Sequence, residues 1–274
     1  MKNSILATII AAALVTSCGK SESTTSAEAL LAEAQAALDA QDTNLATSLL
    51  DSLDRGYASE TGVRKQALAM RPKIVECETL KEITTTDSLM AYYADLHARA
   101  QEKMKCVNNP QLVEPYYVAK VAFKEDFVNT TGIQARVDEI GQFYMVSSLK
   151  GNSICHTSVT ITADGSSATT ATIPYDGEAN YRIDGSELVT YMTAQCDTVG
   201  KFAATHRTSM GKLTFNGKRN HTIQLSPAQM ASIADAWDFA QSIVQSRELS
   251  IQREKLERKL QIARDQAARQ MPEQ

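Results

Sequence analysis

Apolar residues recur every three or four positions near both ends of the chain and every second position in its middle. A change of period of that kind separates helical from strand segments. Near the start, AEALLAEAQAALDAQD puts Leu30, Leu31, Ala34, Ala37 and Leu38 on one helical face, behind Thr25 and Glu28 at capping-box spacing. Leu45, Leu49, Leu50 and Leu53 repeat the pattern as far as Gly56, a residue suited to closing a helix. The two runs predict a helical hairpin. From Val63 the spacing turns heptad-like through Ala67, Met70, Ile74 and Cys77. Pro72 predicts a kink or restart in this run. Thr84-Thr85-Thr86-Asp87 predicts an interruption with Asp87 as a new N-cap, after which Leu89, Tyr93, Leu96 and Ala100 resume the seam.

Beyond Pro110 the texture changes to Thr, Val, Ile and Tyr with regular glycine turns. IQARVD, QFYMVSS, SVTIT and KLTF read as strands, and KLTFNGKRNHTIQL as a hairpin about Asn216-Gly217. CDTVGKFAATHR, residues 196–207, reads as a helix beside this sheet. Ser226 and Pro227 then open a helix with no breaker before Pro272. Its seam runs through Met230, Ile233, Trp237, Ala240 and Val244, then Leu249, Leu256, Leu260, Ala263 and Ala267 after a slip near Arg247. A helix of that length cannot bury its seam alone, and the run from 60 to 106 is the economical partner. The expected fold is therefore α+β, an antiparallel coiled-coil stalk carrying a small antiparallel β-rich domain, with self-association through the last helix as the rival. The expected divisions are residues 1–17 as a signal peptide, 18–25 as a lipidated tether, 26–109 helical, 110–225 β-rich and 226–274 as a long coiled-coil helix.

Composition narrows the function classes. The formal charge is −4, and loss of Lys2 with residues 1–17 makes it −5, so the basic footprint of a nucleic-acid binder is missing. Cys77, Cys106, Cys155 and Cys196 allow three disulfide pairings, and no CxxC pair points to zinc or thioredoxin-like chemistry. No cofactor is expected.

Several local patterns carry candidate chemistry. In DGEANYRIDGSE, Asp176, Glu178, Asn180, Asp184 and Glu187 stand at calcium-loop positions 1, 3, 5, 9 and 12. Tyr181 occupies the place where the sharp turn needs glycine, so an acidic surface turn is the expectation and these five are weak ligand candidates. Residues 200–225 hold Lys201, Arg207, Lys212, Lys218, Arg219 and two histidines with no acid, a pattern for anion attraction or for a solvated, edge-guarding hairpin face. Cys155-His156 pairs a thiol with an imidazole, yet strand neighbours point to opposite faces and cannot readily bond each other. No G-x-S-x-G, H-E-x-x-H, Walker or S-x-x-K motif is present, and no catalytic residue is assigned. A glycan platform in the β-rich region would draw on Tyr144, Tyr175, Tyr181 or Tyr191.

The N-terminus carries the most specific motif. MKNSILATIIAAALVTSC has one charge, Lys2, then an apolar run too short to span a bilayer. Val15-Thr16-Ser17 before Cys18 resembles the lipobox of bacterial lipoproteins. That resemblance implies cleavage before Cys18, a diacylglyceryl thioether on its sulfur and an acylated (commonly palmitoylated) amine. Gly19 in place of aspartate favours the outer membrane, and Gly19-Lys20-Ser21-Glu22 is partly similar to the surface-export signal of Bacteroidota lipoproteins, leaving periplasmic and surface faces both open. Asp51-Ser52-Leu53, Asp87-Ser88-Leu89 and Asp197-Thr198-Val199 resemble the O-glycosylation sequon of the same envelope. The whole chain resembles uncharacterised Bacteroidota envelope lipoproteins with helical, β-rich and coiled-coil segments. The expected role is a lipid-anchored interaction or scaffold protein, with the membrane and a protein partner or second copy as its contacts. The alternative is a glycan- or small-ligand-binding lipoprotein using the β-rich domain.

Overall fold

A computed structural model describes residues 22–108 and 114–270. The segment 1–17 and residues 18–21 of the tether, Cys18 among them, lie outside the described residues. The fold is α+β, with five α-helices and two antiparallel sheets among the described residues. It divides into two compact units, one built from described parts of 1–84 and 255–274, the other from 85–254. The β-rich stretch is thus inserted between two pieces of a helical unit.

In the helical unit, α1 (Glu22–Asp39) and α2 (Thr43–Gly56) form the expected hairpin. α1 takes in residues 22–25, so Thr25 lies inside the helix instead of capping it. Asp42 caps α2, its carboxylate accepting the Leu45 N–H at 3.0 Å. Ala27, Ala34, Ala37, Ala46, Leu50 and Leu53 bury against Val63, Ala67, Met70 and Ile74 of α3 (Thr61–Gln101). Arg71 ties the elements together through Asp51 at 2.8 Å and Asp54 at 2.7 Å.

Neither a restart at Pro72 nor the expected interruption at residues 84–87 occurs: α3 runs through both. Thr79 and Thr84 turn their hydroxyls back to the carbonyls of Val75 and Leu80, which lets threonine sit within a helix. Asp87 bonds Arg253 at 2.6 Å and caps nothing. The seam also changes face after Ile74. Thr79, Ile83 and Thr86 are buried, whereas Cys77 is half-buried and Leu89 is 43% exposed. One face of α3 meets the α1–α2 hairpin, and a second is left for another helix.

That helix is α5 (Pro227–Gln270), opened as expected by Ser226, whose hydroxyl accepts the Gln229 N–H. In the helical unit Arg264 pairs with Glu76 and Lys259 with Glu82. In the β-rich unit Arg253 meets Asp87, His97 meets Ser242 and Lys103 meets Asp235. Positions rise on one helix as they fall on the other, so α3 and α5 run antiparallel within each unit. Exposed ion pairs contribute little stability; here they report register. Leu249, Leu256 and Ala263, seven apart, are buried as the heptad pattern predicts.

In the β-rich unit, β1 (Met104–Val107), β2 (Tyr116–Ala119), β3 (Gly132–Val137) and β4 (Phe143–Lys150) lead into β5 (Ser158–Ala163) and β6 (Ser166–Thr169). β7 (Asn180–Ile183), β8 (Ser186–Met192), α4 (Asp197–Thr205), β9 (Gly211–Asn216) and β10 (His221–Leu225) follow. β1 falls inside the stretch expected to be helical. One sheet has the order β1-β2-β3-β4-β8-β7 and the other β10-β9-β5-β6. A single core joins Met145, Leu149, Val189 and Tyr191 of the first with Val159, Ile161, Leu213 and Phe215 of the second, closed by Val199 of α4 and Met230, Ile233 and Phe239 of α5. Gly200 makes room for Phe143 and Trp237, since a Cβ there would lie 2.5 Å from the indole.

Asn216-Gly217 does not form the expected two-residue turn. Phe215 pairs with His221, so residues 216–220 make a longer connection. Asn216 is held by Ser158 of β5, and Lys218 N–H donates to Ile154 O at 2.7 Å. Gly217 lies so close to the strand-leading segment that a Cβ would sit 2.4 Å from Ile154 O. Tertiary pairing overrides the local turn signal.

Candidate functional site

Strand alternation sends Phe143, Met145, Ser147 and Leu149 of β4 into the core, and Ser147 is the polar intruder on this apolar stripe. The residues after β4 turn back over the sheet and bring His156 between Ser147 of β4 and Glu187 of β8. Ser147 Oγ lies 2.8 Å from His156 Nε2, and His156 Nδ1 lies 3.0 Å from Glu187 Oε2 of β8. Ser147 and His156 are 0% exposed and Glu187 3%. Tyr191 OH stands 3.5 Å beyond Ser147, extending the polar line into the core.

Glu187 is the hub. Its carboxylate accepts the Cys155 N–H at 2.8 Å, the His156 N–H at 2.9 Å, the His156 ring and Arg182 Nη2 at 2.5 Å. Burial alone would raise its pKa. The His156 backbone and ring, the Cys155 N–H and Arg182 outweigh that and hold it down at about 2. The imidazole of His156 is shifted down by burial, against the pull of Glu187, and so is held neutral. With Glu187 ionised, Nδ1 carries the proton and Nε2 accepts from Ser147.

A Ser–His–carboxylate line of these lengths has the connectivity of a nucleophile, base and orienting acid. Ser147 nevertheless faces packed side chains, where no substrate atom can reach its hydroxyl. The arrangement fastens the segment 154–157 onto the sheet. Asn180 adds to it, its amide donating to His156 O at 3.1 Å and Ile173 O at 2.6 Å.

The surface above this fastening is concave. A cavity of about 280 Å³ is lined by Cys155, Thr157, Tyr175, Asn180, Arg182 and Glu187. Tyr175 is 67% exposed at its edge. Arg182 also donates to Ser153 Oγ at 2.6 Å and approaches Cys155 Sγ at 3.5 Å. Cys155 is exposed and takes a φ of 54°, a left-handed conformation uncommon for a residue other than glycine. Cys155 and His156 do point to opposite sides, though they sit in a loop before β5 and not on the strand. One arginine and one buried glutamate are the only charges of the lining, and they neutralise each other.

No protein-family model matches this chain, and no curated protein and no solved structure matches it either. The site is therefore read from its own chemistry. The five calcium-loop candidates do not converge. Asp176 accepts the N–H groups of Glu178 and Asn180, and Asp184 occupies the β7–β8 turn at φ 49°. Asn180 and Glu187 face inward to hold the loop, and among the described residues no group of three or more His, Cys, Asp or Glu side chains is placed to hold a metal ion. Of the four tyrosines, Tyr175 alone stands open at this cavity. Tyr191 is buried, with its hydroxyl pKa pushed up by burial, and Tyr181 packs on the small cluster of Phe127, Val146 and Leu188. Tyr144 lines a different, acidic hollow with Asp138 and Glu139.

The basic run 200–225 is partly engaged within the unit. Arg207 pairs with Asp235 and Asp238, and His206 stacks on Phe202. Cys77, Cys106, Cys155 and Cys196 are all unpaired thiols, and burial pushes Cys196 up to about 12. Ser52, Ser88 and Thr198 lie in α2, α3 and α4.

The shifts set an acid response. Below its ordinary pKa of 6.5 an unfolded His156 gains a proton that the folded site resists, so stability declines as pH falls through that value. Glu187 adds a second loss, from its ordinary 4.5 down towards 2. Urea titrations followed by Trp237 fluorescence between pH 8 and 3 should show both declines. A flat stability profile across that range contradicts the assignment.

Proposed function

We propose that this chain is a lipid-anchored envelope protein whose β-rich unit binds an uncharged polar ligand, a glycan, in the cavity beside Tyr175, without chemistry upon it. The observation that carries this reading is the lining itself. It combines an open aromatic ring with hydrogen-bonding groups whose charges cancel, on a wall fastened from behind by Glu187. Binding sites are commonly concave and largely pre-formed, with a few placed polar groups. A neutral lining disfavours an anion or a cation and suits hydroxyl-rich surfaces, whose C–H faces stack on aromatic rings.

Anchorage rests on Leu14-Val15-Thr16-Ser17-Cys18. Two or three acyl chains there would hold the protein on the outer membrane durably. Self-association through the last helix draws little support, because Leu249, Leu256 and Ala263 are already buried within the chain.

A glycan array probed with the full chain tests the reading. Tyr175→Ala should weaken capture at least tenfold while leaving Trp237 fluorescence unchanged. Cys18→Ala should abolish palmitate labelling and release the protein from the membrane fraction. Absence of any bound glycan, or indifference to Tyr175→Ala, would overturn the binding site. Persistent membrane retention without Cys18 would overturn the anchor.

A further inference from the structure

The cavity beside Tyr175 has a neighbour. A second hollow, of about 330 Å³, is walled by Asn152, Ser153, Gly185 and Ser186, and it shares Arg182 and Glu187 with the first. Both are walled in part by the one Arg182 side chain. Arg182 is held there by Glu187 below and Ser153 across the gap, while its side chain remains 45% exposed. A guanidinium so fixed offers a planar platform, and its charge is met by the carboxylate beneath it.

The second hollow differs in kind from the first. It has no aromatic ring. Gly151, at φ 74°, also lines it and presents bare backbone, with nothing within 4 Å of where a Cβ would stand. Ser186 Oγ on its wall is buried and has no hydrogen-bond partner among the described residues. Buried hydroxyls without partners are rare enough to need an explanation. Each hollow alone stands near the lower edge of the roughly 300–1,000 Å³ usual for small-molecule sites, and the two together fall well within it.

We infer that the ligand is an oligosaccharide of at least two units laid across Arg182, one unit against Tyr175 and the next in the hollow of Asn152 and Ser186. The inference rests on the glycan reading above and specifies its length. Both hollows have the same neutral charge balance, so the chain they accept is uncharged along both units.

Isothermal titration of the full lipidated chain, in a detergent without a sugar headgroup, tests it. The probes are glucose, maltose and maltotriose, and N-acetylglucosamine with its β1,4-linked dimer and trimer. In the series that binds, affinity should rise at least tenfold from one unit to two. Asn152→Trp, which fills the second hollow, should remove that gain and leave the single sugar's affinity unchanged; Asn152→Ala should keep most of it. Equal affinity for one and two units overturns the two-unit site while the glycan reading stands. Equal weakening of both by Asn152→Trp overturns it too. No binding by any probe overturns both.

Discussion

Glu187→Ala is expected to destabilise the β-rich unit by roughly 2–6 kcal/mol, because two buried donors of His156 lose their acceptor. The carboxylate is 4% exposed and receives four donors, three of them from Cys155 and His156. Without it the His156 N–H and ring stay buried with no acceptor, each at a cost of about 1–3 kcal/mol before relaxation. Domains are stable by only about 5–15 kcal/mol, so much of the margin is at stake. Ser147→Ala should lose far less, on the order of 1 kcal/mol, because it removes a neutral hydrogen bond and leaves the hub in place. Trp237 is the only tryptophan and sits against Phe143 in this unit, so urea denaturation read by its fluorescence isolates the effect. A loss for Glu187→Ala no larger than ~1 kcal/mol, the level of an exposed ion pair, would mean the loop is not held by this carboxylate.

Gly217→Ala should be the most damaging glycine substitution in the β-rich unit. Its Cβ would lie 2.4 Å from Ile154 O and 3.0 Å from His156 Cα, both backbone atoms that cannot rotate aside. Relief requires moving residues 154–156 away from the β9–β10 connection, against the Lys218–Ile154 hydrogen bond and the Glu187 anchor. Overpacking of this kind costs about 1–3 kcal/mol, against a gain of about 0.4–1 kcal/mol from a stiffer unfolded chain. Gly132→Ala, where nothing lies within 4 Å, is the matched control and should be near neutral or slightly stabilising. Since the displaced segment carries Cys155, Gly217→Ala should also alter that thiol's rate of labelling by iodoacetamide. If Gly217→Ala and Gly132→Ala behave alike in both readouts, the close approach at residue 217 is not real.

Much of this architecture follows from period and punctuation. The hairpin of α1 and α2, the strands from β3 to β5, the helix after Cys196 and the start of α5 at Pro227 were all legible, because each buries one face against a continuous neighbour. The failures have a common cause in tertiary partners. Thr79 and Thr86 look polar, yet they occupy buried positions of α3, and Thr79 satisfies its hydroxyl within its own helix. Asn216-Gly217 has the composition of a tight turn, but β5 claims Asn216 and lengthens the connection. The site was less visible still. Ser147 could have been singled out as a hydroxyl on an apolar stripe, but His156 and Glu187 meet it across sequence separations of 9 and then 31 residues. Linear spacing instead placed Glu187 at the end of a calcium loop, since it shows which oxygens are near in the chain and not which way they face.

The discontinuity of the helical unit bears on the order in which the protein is made. Glu82 and Lys259 lie 177 positions apart, and Glu76 and Arg264 188. At roughly 5–20 residues per second, the later partner leaves the ribosome on the order of ten to forty seconds after the earlier one. During that interval the second face of α3 has no helix to cover it, while the intervening strands already have their own core to build. Docking of the final helix is then a late, long-range closure, the sort of non-local step that slows folding. A translation product halted inside the β-rich unit would retain α1, α2 and an α3 whose second face is uncovered, which makes it a natural client for a holding chaperone.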